Sequence, residues 1–446
     1  MSVLSRATAP AATHDVAAAV TALLLNLDNT APLKLSLEAL AQSSETAVPE
    51  RDSVLNPIRL LGPSGLGAAA LLLARPTTSI PVGVAKGVAP TGSPQARIPQ
   101  GPSGPRTRST NIGGTGSAIP PLYCPPPVRD DPALATLVND GLIAWARDIG
   151  LYAGRLEELR DADFGRLIML AHPDSDDADR LLAAAKCAVS EWSVDDYYCD
   201  EGADDTAPDG TSSTAAAELG PRLELVAAAM DPVHLPARYA PQLEKALQAD
   251  PILRAFRTSF EHMSHYATPA QLARLRTEIA GWFIAIAAEA GWRASGRMPP
   301  VWEYLANRQP HSFLPCMAAI DVVGGYEVQA AEYTDPRVRR VVTTAALASQ
   351  LVNDLYSMAR EDLSDGREFN LPTVLAAEEK CARREAVLRT AAIHDELAHR
   401  FEREATVLAA TGSAELRRFL GGLWAWMGGS RAWHADSKRY NDMPRQ

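Results

Sequence analysis

The chain has few cysteines, and none of them is arranged for chemistry. Five are scattered through 446 residues (Cys124, Cys187, Cys199, Cys316 and Cys381), and no two form a CxxC pair. That argues against a zinc ribbon or a disulfide framework and fits the reduced thiols of a cytoplasmic protein. Long apolar runs are missing too. Ala17–Leu25 and Gly67–Leu73 are too short to span a bilayer, and the first lacks a basic flank, so the expectation is a soluble protein with no stable membrane association. Positive charge is in short supply: 43 Lys+Arg face 54 Asp+Glu, a net −11, which argues against a nucleic-acid partner. There is almost no two-residue alternation of the kind strands need, and no repeat of fixed period. HExxH and GxSxG motifs are absent. Aromatics make up only 6%, yet all eight Trp fall after residue 140, which places the large core there.

The first 127 residues read as a disordered tail. Between Pro76 and Pro127 the chain is crowded with Pro and Gly, which remove backbone donors and raise the entropy cost of order. Gly62–Gly67 superficially resembles a phosphate loop but lacks the Lys-Ser/Thr ending and follows no strand. From residue 128 to 446 helical periodicity takes over. Helices are expected at about Asp131–Gly150, Asp176–Glu201, Pro241–Tyr266, Pro269–Ala294, Phe313–Glu332, Pro336–Glu361, Pro372–Ala410 and Ser413–Trp433. Several begin with Pro in the first turn, where its missing N–H costs nothing. The fold class is all-α, one domain of helices around a central cavity. The stretch Ala203–Gly220 reads as an acidic loop.

Two oxygen-rich clusters carry the chemistry. Asn353, Ser357 and Glu361 are spaced i, i+4, i+8, so a helix stacks an amide oxygen, a hydroxyl and a carboxylate in one column. These are hard ligands of the kind Mg²⁺ takes. Asn and Ser are poor choices for an ordinary solvated helix face. Upstream, Asp195, Asp196, Asp200 and Glu201 crowd like charges into two turns, between Trp192, Val194, Tyr197 and Tyr198. Together the clusters indicate a divalent metal site at the rim of a pocket. Arg360 is placed to meet a phosphate oxygen. His262-x-x-His265 reads as a helix-face coincidence. Glu396-x-x-His399 occurs once, where a di-iron bundle needs it twice.

With these residues in place, the chain resembles the class I terpene synthases over about residues 128–440. Their Asp-rich motif is matched by Asp195-Asp196, and their Asn/Asp–xxx–Ser/Thr–xxx–Glu motif by Asn353, Ser357 and Glu361. The Asp-rich motif departs from DDxxD, because Cys199 takes the last position and carboxylates follow at Asp200 and Glu201. The resemblance implies a helical bundle holding Mg²⁺ on Asp195, Asp196, Asn353, Ser357 and Glu361, with Asp200 as a further ligand or rim carboxylate. It implies diphosphate binding by Arg308, Arg360, Arg439 and Tyr440, with Arg308, Arg439 and Tyr440 assisting ionisation. Within the family, Asp195–Glu201 and the Pro-rich approach Leu122–Pro127 are similar to the bacterial branch that cyclises 2-methylgeranyl diphosphate. Whether the product is a tertiary alcohol or its olefin is left open, and so is a homodimer. Trp192, Tyr197, Phe260, Tyr304, Phe313 and Trp424 are candidates for the cavity wall. A prenyl-chain elongase would need a second Asp-rich motif. A helical interaction protein is the alternative outside enzymes.

Overall fold

The computed structural model describes residues 119–200, 215–231, 233–361 and 369–441, excepting the side chains at 199–200, 215–217, 359–361 and 441. Every element among the described residues is helical. In order they are α1 (Pro132–Ile149), α2 (Leu156–Ala162), α3 (Phe164–Ala171), α4 (Ala178–Val194), a π-helical turn (Asp195–Asp200), α5 (Ala215–Met230), α6 (Ala240–Ala249), α7 (Pro251–Ser264), α8 (Pro269–Ser295), α9 (Val301–Arg308), α10 (Leu314–Ala318), α11 (Ile320–Val323), α12 (Ala330–Tyr333), α13 (Pro336–Glu361), α14 (Leu371–Glu379), α15 (Arg383–Thr411), α16 (Ala414–Asp436) and α17 (Lys438–Asn441).

Local signals set most boundaries. Asp131 caps α1 by accepting from the N–H groups of Ala133 and Leu134, and Gly150 ends it at φ 72°. Thr268 and Gln271 close a capping box ahead of α8. Three expected helices are divided. Pro241–Tyr266 breaks at Asp250, which caps α7 in extended backbone just before Pro251. Pro372–Ala410 breaks at Lys380, whose φ of 53° is left-handed. Phe313–Glu332 becomes three short pieces, with Gly325 at φ 72° between the second and third. The acidic stretch expected as a loop ends in α5, which starts at Ala215. Residues 201–214 and Gly62–Gly67 lie outside the described residues.

Packing decides which face of each helix looks inward. On α13, Val341, Val342, Leu347 and Leu351 are buried, as their spacing predicts. At about 1.5–3 kcal/mol per buried aliphatic side chain they fix the rotation of the helix, and with it the direction of Asn353 and Ser357. On α1 the inward stripe is Ala135, Val138 and Leu142, which leaves Leu137 60% exposed. Helix α13 packs against α15 and α16, α4 against α1 and α7, and α3 against α1 and α16.

The packed part of the chain begins ahead of residue 128. The Tyr123 N–H donates to Asp395 Oδ1 at 2.8 Å and its hydroxyl to Glu402 Oε2 at 2.7 Å, both on α15. Its ring lies 3.7 Å from that of His399. The Cys124 thiol, pushed up to about 12 by burial, donates to the Met427 carbonyl. This strap crosses α16 at Gly428, where a Cβ would stand 2.7 Å from the Pro125 carbonyl oxygen. The next residue, Gly429, meets α3 on the other side: its Cβ would stand 2.7 Å from the Leu170 carbonyl carbon.

Candidate active site

Helix α4 changes character where its chemistry begins. Capped by Asp177 at its start, it widens at Asp195 into a π-helical turn, a device that often re-aims side chains at functional sites. Asp195 lines a cavity. Asp196, expected among the metal donors, turns instead into the protein. It is 3% exposed, accepts from Arg439 Nη2 at 2.8 Å on Oδ1, and accepts from the Tyr152 hydroxyl at 2.6 Å on Oδ2. With both oxygens engaged, it holds Arg439 rather than presenting a free ligand face. Burial works against the Arg439 charge, but Asp196 outweighs it and the guanidinium stays protonated.

Helix α13 supplies the facing wall. Asn353 and Ser357 both line the cavity, one turn apart. The Asn353 amide is oriented from behind. His434 Nδ1 lies 2.8 Å from the Ser430 carbonyl and is the donor there, so its Nε2 accepts from Asn353 Nδ2 at 3.2 Å. The same Nδ2 donates to the Tyr440 hydroxyl at 3.0 Å. Burial holds His434 down to about 4, which keeps it neutral for this role. The Asn353 Oδ1 is left toward Gln350, whose amide donates to it at 3.0 Å. The Ser357 Oγ is buried and has no hydrogen-bond partner among the described residues. An orphaned hydroxyl oxygen costs about 1–3 kcal/mol, and a hard divalent cation is the kind of ligand that would satisfy it beside Asn353 and Asp195. The donor set therefore fits a metal.

Asp354, one residue on, points away from the cavity and is fully buried. It accepts from Arg308 Nε at 3.0 Å and Nη2 at 2.7 Å, from the Tyr304 hydroxyl at 2.7 Å, and from the Leu371 N–H at 3.0 Å. Arg308, also on the cavity wall, is thereby held side-on. Sequence reasoning missed Asp354, although it stands next to Asn353.

The cavity measures about 860 Å³, mouth included. Its polar rim carries Asp195, Arg293, Arg308, Asn353, Ser357, Arg439 and Tyr440, and its walls include Trp192, Trp282, Phe313 and Phe369. Two buried carboxyl groups there behave oppositely. Glu289 is drawn down to about 2: burial would raise it, but His311, Arg293 and Arg308 prevail. Glu191 is pushed up to about 8 by burial, with a Cys316 thiol at 3.4 Å only partly opposing.

Of the residues expected from sequence, Asp195, Arg308, Asn353, Ser357, Arg439 and Tyr440 converge on this cavity. The backbones of Asp200, Arg360 and Glu361 are helical, and their side chains lie outside the described residues. Trp192 and Phe313 line the wall as expected. Tyr304 sits behind Arg308, and Trp424 stacks on Phe401 in the core instead. Arg293, Glu289, Glu191, His311, Trp282 and Phe369 carried no sequence signal, because isolated residues on separate helices meet only in three dimensions. His262 bridges Lys186 and Asp179 on α4, and His399 packs on Tyr123.

Residues 186–400 match the family model "Terpene synthase family 2, C-terminal metal binding". The 2-methylisoborneol synthase of Saccharopolyspora erythraea is 39% identical over 340 residues, 74% of this chain and 94% of that protein. The Streptomyces ambofaciens 2-methylisoborneol synthase is 37% identical, over 78% of this chain and 82% of its own length. The crystal structure of 2-methylisoborneol synthase from Streptomyces coelicolor A3(2) with Mg²⁺ and 2-fluoroneryl diphosphate superposes with a TM-score of 0.68 at 37% identity, covering 74% of this chain and 99% of that one. A second structure of that enzyme, with Mg²⁺ and geranyl-S-thiolodiphosphate, gives a TM-score of 0.66 at 36% identity, covering 74% and 99%. The helices, the cavity and these likenesses agree: the chain belongs to the class I terpene synthases, in the group of the 2-methylisoborneol synthases.

Proposed function

We propose that the protein is a Mg²⁺-dependent cyclase that converts 2-methylgeranyl diphosphate and water to 2-methylisoborneol and diphosphate. The observation that carries this reading is the polarity of one cavity. Buried guanidinium groups and oxygen donors crowd its rim, aromatic rings line its walls, and relatives of that activity share most of the chain.

Asp195, Asn353 and Ser357 would hold the metal, with Glu361 and Asp200 completing the set from the same two helices. Bound there, Mg²⁺ neutralises charge on the leaving diphosphate. Arg308 and Arg439 aim fixed positive charge at the same oxygens, pre-oriented by Asp354 and Asp196, so little reorganisation is needed as the C–O bond breaks. Tyr440 would add a hydrogen bond at that end, and the family resemblance gives Arg360 the same part. Trp192, Trp282, Phe313 and Phe369 exclude water and present ring faces to the allylic cation. Ring closure and capture by one water then give the alcohol.

Incubation of the purified protein with Mg²⁺ and 2-methylgeranyl or geranyl diphosphate, followed by gas chromatography–mass spectrometry, tests the reading. The expected product is 2-methylisoborneol from the methylated substrate. Olefin alone would reassign it as a 2-methylenebornane synthase, and no release of diphosphate from any allylic diphosphate would reject the cyclase. The free thiols of Cys124, Cys187, Cys316 and Cys381 suit a cytoplasmic location. Residues 1–118 are read as a tail outside the catalytic domain. A homodimer belongs to the same proposal and is checked by sedimentation.

A further inference from the structure

Glu191 is a polar group of the cavity that the cyclase reading leaves without work, and one of its carboxyl oxygens has no partner among the described residues. It stands one turn before Asp195 on α4, on the same face and about 6 Å further along the axis, away from the rim. Its neighbour in sequence is the wall residue Trp192, and Phe313 lines the cavity with it. The carboxyl group is 4% exposed. Its Oε2 accepts only a weak S–H bond, from Cys316 at 3.4 Å. Its Oε1 is buried with no partner among the described residues. A carboxyl kept only for packing would show both oxygens paired, since an orphan costs about 1–3 kcal/mol. The cavity's other buried acid, Glu289, lies against His311 and Arg293.

We propose that Glu191 holds the water molecule that ends the reaction, so that this side chain decides between the tertiary alcohol and the olefin. The inference rests on the cyclase reading above. In the final step a lone pair of that water forms the C–O bond to the cyclised tertiary cation. The resulting oxonium gives its extra proton to the released diphosphate, the base the reaction itself generates. Without a held water, the same cation loses a C–H proton to diphosphate and closes to an olefin. Glu191 suits the first outcome because burial keeps it neutral. It offers an acceptor oxygen to water but lacks the basicity to strip a C–H proton or the charge to trap the cation as an ester. It is a positioning residue, acting through the water.

The test compares wild type, Glu191→Gln and Glu191→Leu with Mg²⁺ and 2-methylgeranyl diphosphate, reading diphosphate release and the alcohol-to-olefin ratio. Glu191→Gln keeps an acceptor oxygen and is expected to keep the wild-type ratio. Glu191→Leu is expected to release diphosphate within about tenfold of wild type while its ratio falls by about tenfold or more toward olefin. Glu191→Met serves as the second apolar variant and is read in the same way if Glu191→Leu does not fold. An unmoved ratio in the apolar variants overturns the inference, and so does a ratio that shifts as far in Glu191→Gln. Wild-type alcohol with unmoved variants overturns this inference alone, whereas no product from the wild type overturns the cyclase reading with it.

Discussion

Asp354→Asn isolates the largest electrostatic commitment in the site. Asp354 is fully buried and takes four hydrogen bonds, two from Arg308, one from the Tyr304 hydroxyl and one from the Leu371 N–H. Asparagine preserves the shape but removes the charge and turns one acceptor into a donor facing other donors. Among the described residues Arg308 would keep only the more distant Glu289 carboxylate, at 3.9 Å, as a counter-charge. Breaking a buried pair on one side costs about 3–5 kcal/mol, against a total stability of about 5–15 kcal/mol, so the variant should fold with a lowered urea midpoint and an unchanged slope. A guanidinium displaced by about 1 Å loses about 100-fold in rate, so kcat/KM for diphosphate release should fall by that order or more. Arg308→Gln is the companion variant. In a double-mutant cycle the pair should be less destabilised than the two single changes summed, because the second substitution no longer strands a charge. A midpoint shift worth less than about 1 kcal/mol with intact kcat/KM would refute the claim that Asp354 holds Arg308 in place.

Asp195→Asn should raise the Mg²⁺ concentration for half-maximal activity. Asp196→Asn should leave that titration near wild type and raise KM for the allylic diphosphate, since Asp196 acts on Arg439; the opposite pattern would return Asp196 to the metal. Ser357→Ala removes an orphaned oxygen, so the metal-free melting temperature should hold or rise while Mg²⁺ half-saturation rises, a combination that an ordinary core serine would not give. Burial holds His172 down to about 3. The unfolded chain then binds the proton first as pH falls below about 6.5, and stability drops by about 2 kcal/mol between pH 7 and pH 5 through this residue. In His172→Gln the fall in urea midpoint over that interval should be smaller by this amount. Removing residues 1–118 should leave activity unchanged, while removing 1–127 strips Tyr123 and Cys124 from α15 and α16 and should lower stability by about 2 kcal/mol or more in thermal melts.

Much of the site was legible because it is periodic. Asn353 and Ser357 lie one turn apart on a helix whose apolar stripe fixes its rotation, so spacing alone put both on one wall. What spacing could not sort has physical causes. Asp196 shares its sequence signal with Asp195, and only the π-helical turn and the distant Arg439 separate their surroundings. Asp354 was hidden by its neighbour, because a column read at i, i+4 discards the residue beside it, which is turned about 100° around the helix. Glu191, Glu289 and Arg293 are single charged residues on ordinary helices, and burial changes their meaning only after packing. Helix boundaries failed where one residue adopts left-handed backbone, as at Lys380, or where Asp250 and Pro251 start a helix inside an apparently continuous one.

The paired glycines of α16 give the protein an unusual mechanical economy. At Gly428 and Gly429 the helix is stripped to its backbone on two sides, with the strap against one and α3 against the other. Downstream on the same helix are Trp433 and His434, the latter setting the Asn353 amide. A methyl group added at Gly428 would therefore push on a rod that, further along, orients the Asn353 amide at the cavity. A substitution beneath the strap, about 9 Å along the axis from His434, becomes a means of adjusting the cavity without touching a residue that lines it.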